Sequence, residues 1–212
     1  MSKAYFISGI DTDAGKSYAT GLLAVGMMKE GQKVITQKFI QTGNREWSED
    51  IEVHRRIMGT GMLPEDLDHT TAPVIFTYPA SAQLAARIDG KEIDLGVIDR
   101  ATERLLERYD TVLVEGAGGL MVPITDTFLA IDYVTTRKLP LILVTNGRLG
   151  SINHTLLSLE AVKARGIELD TVIYNTHFDN DPVIAADTLG FITRYLSRHF
   201  PTTRLITIPT VK

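Results

Sequence analysis

Tyr5–Ser17, YFISGIDTDAGKS, decides the fold. An apolar run, Tyr5-Phe6-Ile7, reaches Gly9. A short polar loop leads to Gly15-Lys16-Ser17, and a helical pattern follows. Strand, glycine-rich loop and helix start make a phosphate cradle. Backbone N–H groups at the helix N-terminus face the anion, a lysine reaches the outer phosphates, and a Ser/Thr hydroxyl serves magnesium. The usual P-loop has four residues between its first glycine and Gly-Lys; here five stand there, Ile10 to Ala14. Alone, a Gly-Lys-Ser could be a solvated turn. The flanking strand and helix favour the phosphate reading.

Working outward, the pattern repeats. Lys16–Glu30 has apolar residues at helical spacing, stopped by Gly31. Val34–Lys38 reads as a strand, and Ser48 precedes a helix over Glu49–Ile57. Gly59–Pro79 is rich in breakers and reads as irregular. Helices are expected over Ser81–Ile88, Asp94–Tyr109, Phe128–Lys138, Ser151–Arg165 and Pro182–His199. Strands are expected at Thr111–Glu115, Pro140–Val144, Thr171–Tyr174 and Leu205–Ile208, with a glycine-rich loop over Gly116–Ile124. Continuously apolar strands are buried on both faces. Their alternation with helices predicts one α/β domain over residues 1–212, an open and mostly parallel sheet with helices on both faces.

Composition narrows the function. The 212 residues carry a net charge of −4 with no basic block, which argues against nucleic acid or an anionic membrane as the partner. There is no cysteine, so disulfides, thiolate metal sites and a cysteine nucleophile are excluded. MSKAYF lacks a signal-peptide core and no run is long enough to span a membrane, so a cytoplasmic protein is expected. The five histidines show no metal-ligand spacing and read as structural or surface residues.

In a parallel α/β sheet, ligands bind at the carboxyl ends of the strands. Lys16 and Ser17 follow the first strand; Lys38, Glu115 and Asn175 end later ones. A lysine at an apolar strand end is costly unless an anion pairs with it. Lys38 beside Lys16 therefore suggests a doubly clamped phosphoryl group. Glu115 is placed to serve magnesium together with Ser17 and one further acid from Asp11, Asp13 or Asp50.

Four segments carry a family resemblance: SGIDTDAGKS (8–17), QKFIQTG (37–43), VEGAGGLMVPI (114–124) and GRLGSINHTLLSLEAVKARGI (147–167). Together they resemble the dethiobiotin synthetase family, whose P-loop has this extra residue. The resemblance implies an ATP-dependent ligase that carboxylates 7,8-diaminononanoate with CO2 and closes a cyclic urea. It implies that Asp13, Ala14, Gly15, Lys16, Ser17 and Tyr18 surround the ATP phosphates, and that Ser17, Asp50 and Glu115 hold Mg2+. Lys16, Lys38 and Thr12 would act on the carbamate and γ-phosphate. Asn175 would read adenine. Thr42, Gly118, Gly150 and Asn153 would contact the diamine, some of them across a homodimer interface. Three departures stand out: Phe39 where proline is usual, Ser81–Ala85 where Ser-Pro-His-x-Ala is common on the pocket wall, and a chain ending at Lys212 where many relatives continue. The alternatives are a ParA/MinD-like switch ATPase, whose signature lysine is replaced here by Ile10, and a non-catalytic paralogue.

Overall fold

Every second residue of the central strands faces the same layer, and both layers are apolar. In the computed structural model, which describes residues 2–210, Phe6 packs into one core and Ile7 into the other. The described residues form eight strands: β1 (Lys3–Gly9), β2 (Val34–Lys38), β3 (Gln41–Thr42), β4 (Ile75–Phe76), β5 (Thr111–Gly119), β6 (Leu141–Asn146), β7 (Leu169–Asn175) and β8 (Arg204–Ile208). Six of them make one sheet in the order β2-β5-β1-β6-β7-β8, with every neighbouring pair parallel. The helices are α1 (Lys16–Lys29), α2 (Glu49–Met58), α3 (Pro64–Leu67), α4 (Ala82–Ile88), α5 (Leu95–Leu106), α6 (Ala130–Arg137), α7 (Ser151–Ala164) and α8 (Pro182–His199). The helix α1 covers the face carrying Ile7, Leu113, Ile142, Val144 and Ile173. The opposite face, with Phe6, Val112, Val114, Leu143 and Val172, packs residues of α4 to α8. The doubly covered parallel sheet is thus as expected, and it follows from strands that are apolar on both sides. The chain's end at Lys212 lies outside the described residues.

Two sequence expectations are corrected. Gly116–Gly119 is not loop but the continuation of β5, which pairs Gly119 with Gly9 across a local irregularity in the β1 ladder. The glycine makes this possible: a Cβ on Gly116 would come within 2.8 Å of the buried Phe6 ring. Gly59–Pro79 is not wholly irregular either. It holds α3 and then β4, which pairs in parallel with β3 through Gln41–Ile75 and Thr42–Phe76. The starts of α2 and α8 fall where they were read, whereas α6 starts at Ala130 and not Phe128. The Ser48 hydroxyl accepts the Ile51 N–H, and the Asp181 carboxylate accepts those of Val183 and Ile184 beside Pro182.

Phe39 has a structural reason. It is 1% exposed, lies edge-on to Phe6 at 5.4 Å and sits 4.6 Å from the Tyr133 ring. Its N–H donates to the Glu115 carbonyl at 2.8 Å, a bond that proline cannot make. The residue locks the ends of β2 and β5 together. Phe39→Ala should lower the unfolding free energy by about 3–5 kcal/mol, as for other buried aromatic truncations; urea denaturation followed by circular dichroism measures it.

Candidate active site

The site grows out of strand register. In the parallel pair β2–β5, Lys38 lies opposite Glu115, and Ile7 of β1 flanks Glu115 on its other side. Alternation along β2 sends Thr36 and Lys38 to the same layer, where α2 packs. Lys38 is 4% exposed and Glu115 is fully buried. The Lys38 ammonium donates to Glu115 Oε1 at 2.8 Å and to the Gly116 carbonyl at 3.3 Å, and pairs with Asp50 Oδ2 at 2.5 Å. Burial works against the Lys38 charge, but the carboxylates of Glu115 and Asp50 outweigh it and hold its pKa above the ordinary lysine value. Burial likewise works against the Glu115 charge, and Lys38 with His54 reverses this, holding the carboxyl well below the usual carboxylate range.

The loop before α1 supplies the second half. This helix begins at Gly15 in a left-handed conformation (φ 88°), with no side-chain cap and no acidic residue in its first turn. Its first N–H groups therefore lack the partners that Ser48 and Asp181 give α2 and α8, the condition for binding an anion at a helix N-terminus. Lys16 is buried and folds back to donate to the carbonyls of Asp11 (3.0 Å) and Thr12 (2.9 Å). Burial lowers its pKa. Ser17 Oγ lies 2.6 Å from Asp50 Oδ1 and 3.0 Å from Glu115 Oε1. One hydroxyl proton serves only one of these acceptors at a time.

These groups border a cleft of about 560 Å³. Of the residues named from the sequence, Thr12, Asp13, Gly15, Lys16, Ser17, Tyr18, Lys38, Thr42, Asp50, Glu115, Gly118 and Asn175 all line it. Three expected residues do not. Ala14 is fully buried in the core and meets the site only through its carbonyl, which accepts from the Asn175 amide at 3.2 Å. Gly150 and Asn153 lie on the surface, outside the cleft, because they start α7 beyond the end of β6. The Ser81–Ala85 stretch also stays outside: Ala82 and Ala85 are core residues of α4, packed near β3 and β4.

Several residues were missed. Arg148, His177, Phe178 and Pro209 border the cleft around Asn175, and the Arg148 guanidinium sits 3.9 Å from the Phe178 ring centroid. Arg148 lies in the 147–167 segment but was not singled out there; His177 and Phe178 form a 3-10 turn after β7 and Pro209 follows β8, where the sequence carries no motif. His54, read as structural or surface, is fully buried with Nε2 2.7 Å from Glu115 Oε2. Its spacing of four from Asp50 puts both on one face of α2, a signal the sequence carried.

The site can neutralise a polyphosphate with two lysines and uncapped backbone N–H groups. Among the described residues, no group of three or more His, Cys, Asp or Glu side chains is arranged to hold a metal. The hard oxygen set of Ser17, Asp50 and Glu115 instead fits Mg2+, which keeps waters and takes phosphate oxygens beside one or two carboxylates.

Fold and site define a P-loop nucleotide-binding α/β protein. A family model described as an AAA domain matches residues 3–212. Among solved structures, the chain resembles a putative plasmid partition protein from Borrelia burgdorferi bound to AMPPNP (TM-score 0.58, 13% identity, 100% of this chain and 88% of that one). It also resembles a ParA family ATPase from Chlorobium tepidum (TM-score 0.56, 16% identity, 100% and 86%). Likeness at that identity speaks to fold alone. Sequence relatives are far nearer. The ATP-dependent dethiobiotin synthetase BioD 2 of Pasteurella multocida is 46% identical over 96% of this chain and 95% of its own. The protein of the same name from Haemophilus influenzae is 51% identical over 85% and 95%. The ATP-dependent dethiobiotin synthetase BioD of Chlorobaculum tepidum is 51% identical over 91% and 81%. The chain belongs to the ATP-dependent dethiobiotin synthetase family.

Gly15 gives a direct test of the cleft. A Cβ there would overlap the Asn175 amide, and the backbone is left-handed. Gly15→Ala should abolish nucleotide binding measured by calorimetry while the protein stays folded by circular dichroism.

Proposed function

We propose that the protein carboxylates 7,8-diaminononanoate with CO2 and closes the product to dethiobiotin, using ATP and releasing ADP and phosphate. One observation carries this reading: Lys38, Ser17, Asp50 and Glu115, from four separate elements, meet within 3.0 Å beside the uncapped start of α1. Such a site suits phosphoryl transfer, where the protein positions reactants and neutralises charge and makes no covalent bond of its own.

One amine of the substrate takes up CO2 to give a carbamate. A carbamate oxygen attacks the γ-phosphorus, and ADP leaves. The second amine attacks the carbonyl of the resulting mixed anhydride, phosphate departs, and the ring closes. Lys16 and the N–H groups around Gly15 bind the phosphates. Lys38, released from its carboxylates, neutralises charge on the carbamate and the transferring phosphoryl group, and Thr12 flanks them. Tyr18 and Asp13 border the nucleotide, with Asn175 at its base. Thr42 and Gly118 border the diamine. Ser17, Asp50 and Glu115 would hold magnesium, which when bound would supply charge neutralisation to the phosphates.

The substrate's carboxylate tail is read by Gly150 and Asn153 of a second copy in a homodimer. The surface around them supports this: α7 starts without a side-chain cap at Gly150, and Leu149 (87% exposed) and Leu157 present apolar side chains to solvent. Among the described residues no helix is long and apolar enough to cross a membrane.

Incubation with the diamine, bicarbonate and Mg-ATP should yield a cyclic urea by mass spectrometry. Lys16→Ala and Lys38→Ala should each lose diamine-dependent ATP turnover by at least about 100-fold, as for loss of a group stabilising transition-state charge. Absence of the urea at high enzyme concentration contradicts the assignment. Light scattering should report a dimer; Leu157→Glu should give a monomer that still binds ATP but has lost the diamine response.

A further inference from the structure

Glu115 is not held by the cleft alone. Its Oε1 faces Ser17 and Lys38, whereas its Oε2 faces His54 Nε2 at 2.7 Å. An ionised carboxylate only accepts, so Nε2 carries the proton. The other ring nitrogen, Nδ1, lies 3.0 Å from Thr36 Oγ1. That oxygen already accepts from Arg55 Nη1 at 2.8 Å, which leaves its own proton for the histidine. Arg55 is fixed in turn by both Asp66 oxygens (2.8 and 2.7 Å), and Asp66 accepts from Thr71 Oγ1 and the Leu63 N–H, both at 2.7 Å. Every member of this chain is buried: His54 and Thr36 fully, Arg55 at 2% and Asp66 at 4% exposure. The hydrogen bonds therefore run in one direction, from an anchored guanidinium to a single carboxylate oxygen.

We propose that His54 is a positioning residue that sets cation selectivity, by occupying Glu115 Oε2 so that the carboxylate presents only Oε1 to the cleft. The inference rests on the reading of Ser17, Asp50 and Glu115 as the magnesium ligands. A single carboxylate oxygen suits Mg2+, which demands near-octahedral geometry; Ca2+ takes six to eight oxygens and readily accepts a bidentate carboxylate. With Oε2 bonded to a donor that cannot swing away, the bidentate arrangement is closed off. Mutation of the outer hydrogen-bond partners of metal ligands characteristically weakens metal affinity.

The test uses the full chain with saturating ADP. Bound Mn2+ is followed by electron paramagnetic resonance, corrected for ADP alone, and displaced with Mg2+ or Ca2+. In the unmodified protein, Mg2+ should displace Mn2+ at lower concentration than Ca2+. In His54→Leu, Mg2+ should compete about 10–100-fold less well while Ca2+ keeps or gains effectiveness, so the Mg2+/Ca2+ ratio collapses. His54→Gln, whose amide nitrogen takes the place of Nε2, should keep the ratio. Should His54→Leu not fold, His54→Asn replaces it: its shorter amide serves Thr36 but leaves Oε2 free, and the ratio should again fall. An unchanged ratio in the leucine or asparagine variant, or equal weakening of both cations with a lowered melting temperature, overturns the proposal and leaves the magnesium assignment standing. No cation bound by the unmodified protein beyond that of ADP overturns both.

Discussion

The fully buried pairing of Lys38 with Glu115 is the constraint on which the site depends. Two charges are taken out of water at registered positions of neighbouring strands. That costs several kcal/mol per ion unless geometry and further hydrogen bonds are good. Here they are supplied from all sides: Asp50 and the Gly116 carbonyl for the lysine, Ser17 and His54 for the carboxylate. Removing either partner would leave the other's buried charge less well compensated, Lys38 with Asp50 alone and Glu115 without its ammonium. The pair thus fixes the strand ends against α1 and α2 and keeps a cation at the wall of the cleft.

The surrounding fold serves that arrangement. Phe39 joins the ends of β2 and β5 through its N–H and its ring, in the place of a proline that would supply neither. Gly116 lets β5 run past Phe6, carrying Gly118 to the cleft wall beside Thr12. Gly15 makes room for Asn175, so the phosphate loop and the end of β7 fit only as a pair. Preorganisation of this kind is what phosphoryl transfer asks of a protein.

Much of this was legible in the chain. Strands whose one charged residue is the last, VITQK and TVLVE, marked both the strands and the chemistry, because a buried strand carries a charge most readily at its ligand-bearing end. The long P-loop and the Glu115 glycines identified the family. What stayed hidden is tertiary. The β3–β4 pair joins residues 34 positions apart, Gln41 to Ile75, with no periodicity to announce it. The spacing of His54 from Asp50 hinted at a shared face, but its partners Thr36 and Glu115 lie on other elements. Gly150 and Asn153 were named by resemblance, yet one copy of the chain leaves them on its surface. Nothing within one copy brings them to the cleft.

In the proposed reaction the γ-phosphate passes to an oxygen that arrived with CO2, and not to water. Turnover with diamine, ATP and 18O-labelled bicarbonate, followed by mass analysis of the released phosphate and of the cyclic urea, distinguishes the two. One labelled oxygen is expected in each phosphate and another in the ureido carbonyl, diluted only by exchange of bicarbonate with water. Phosphate formed at the same rate without label would mean plain ATP hydrolysis, as in a switch ATPase, and would contradict the proposed reaction.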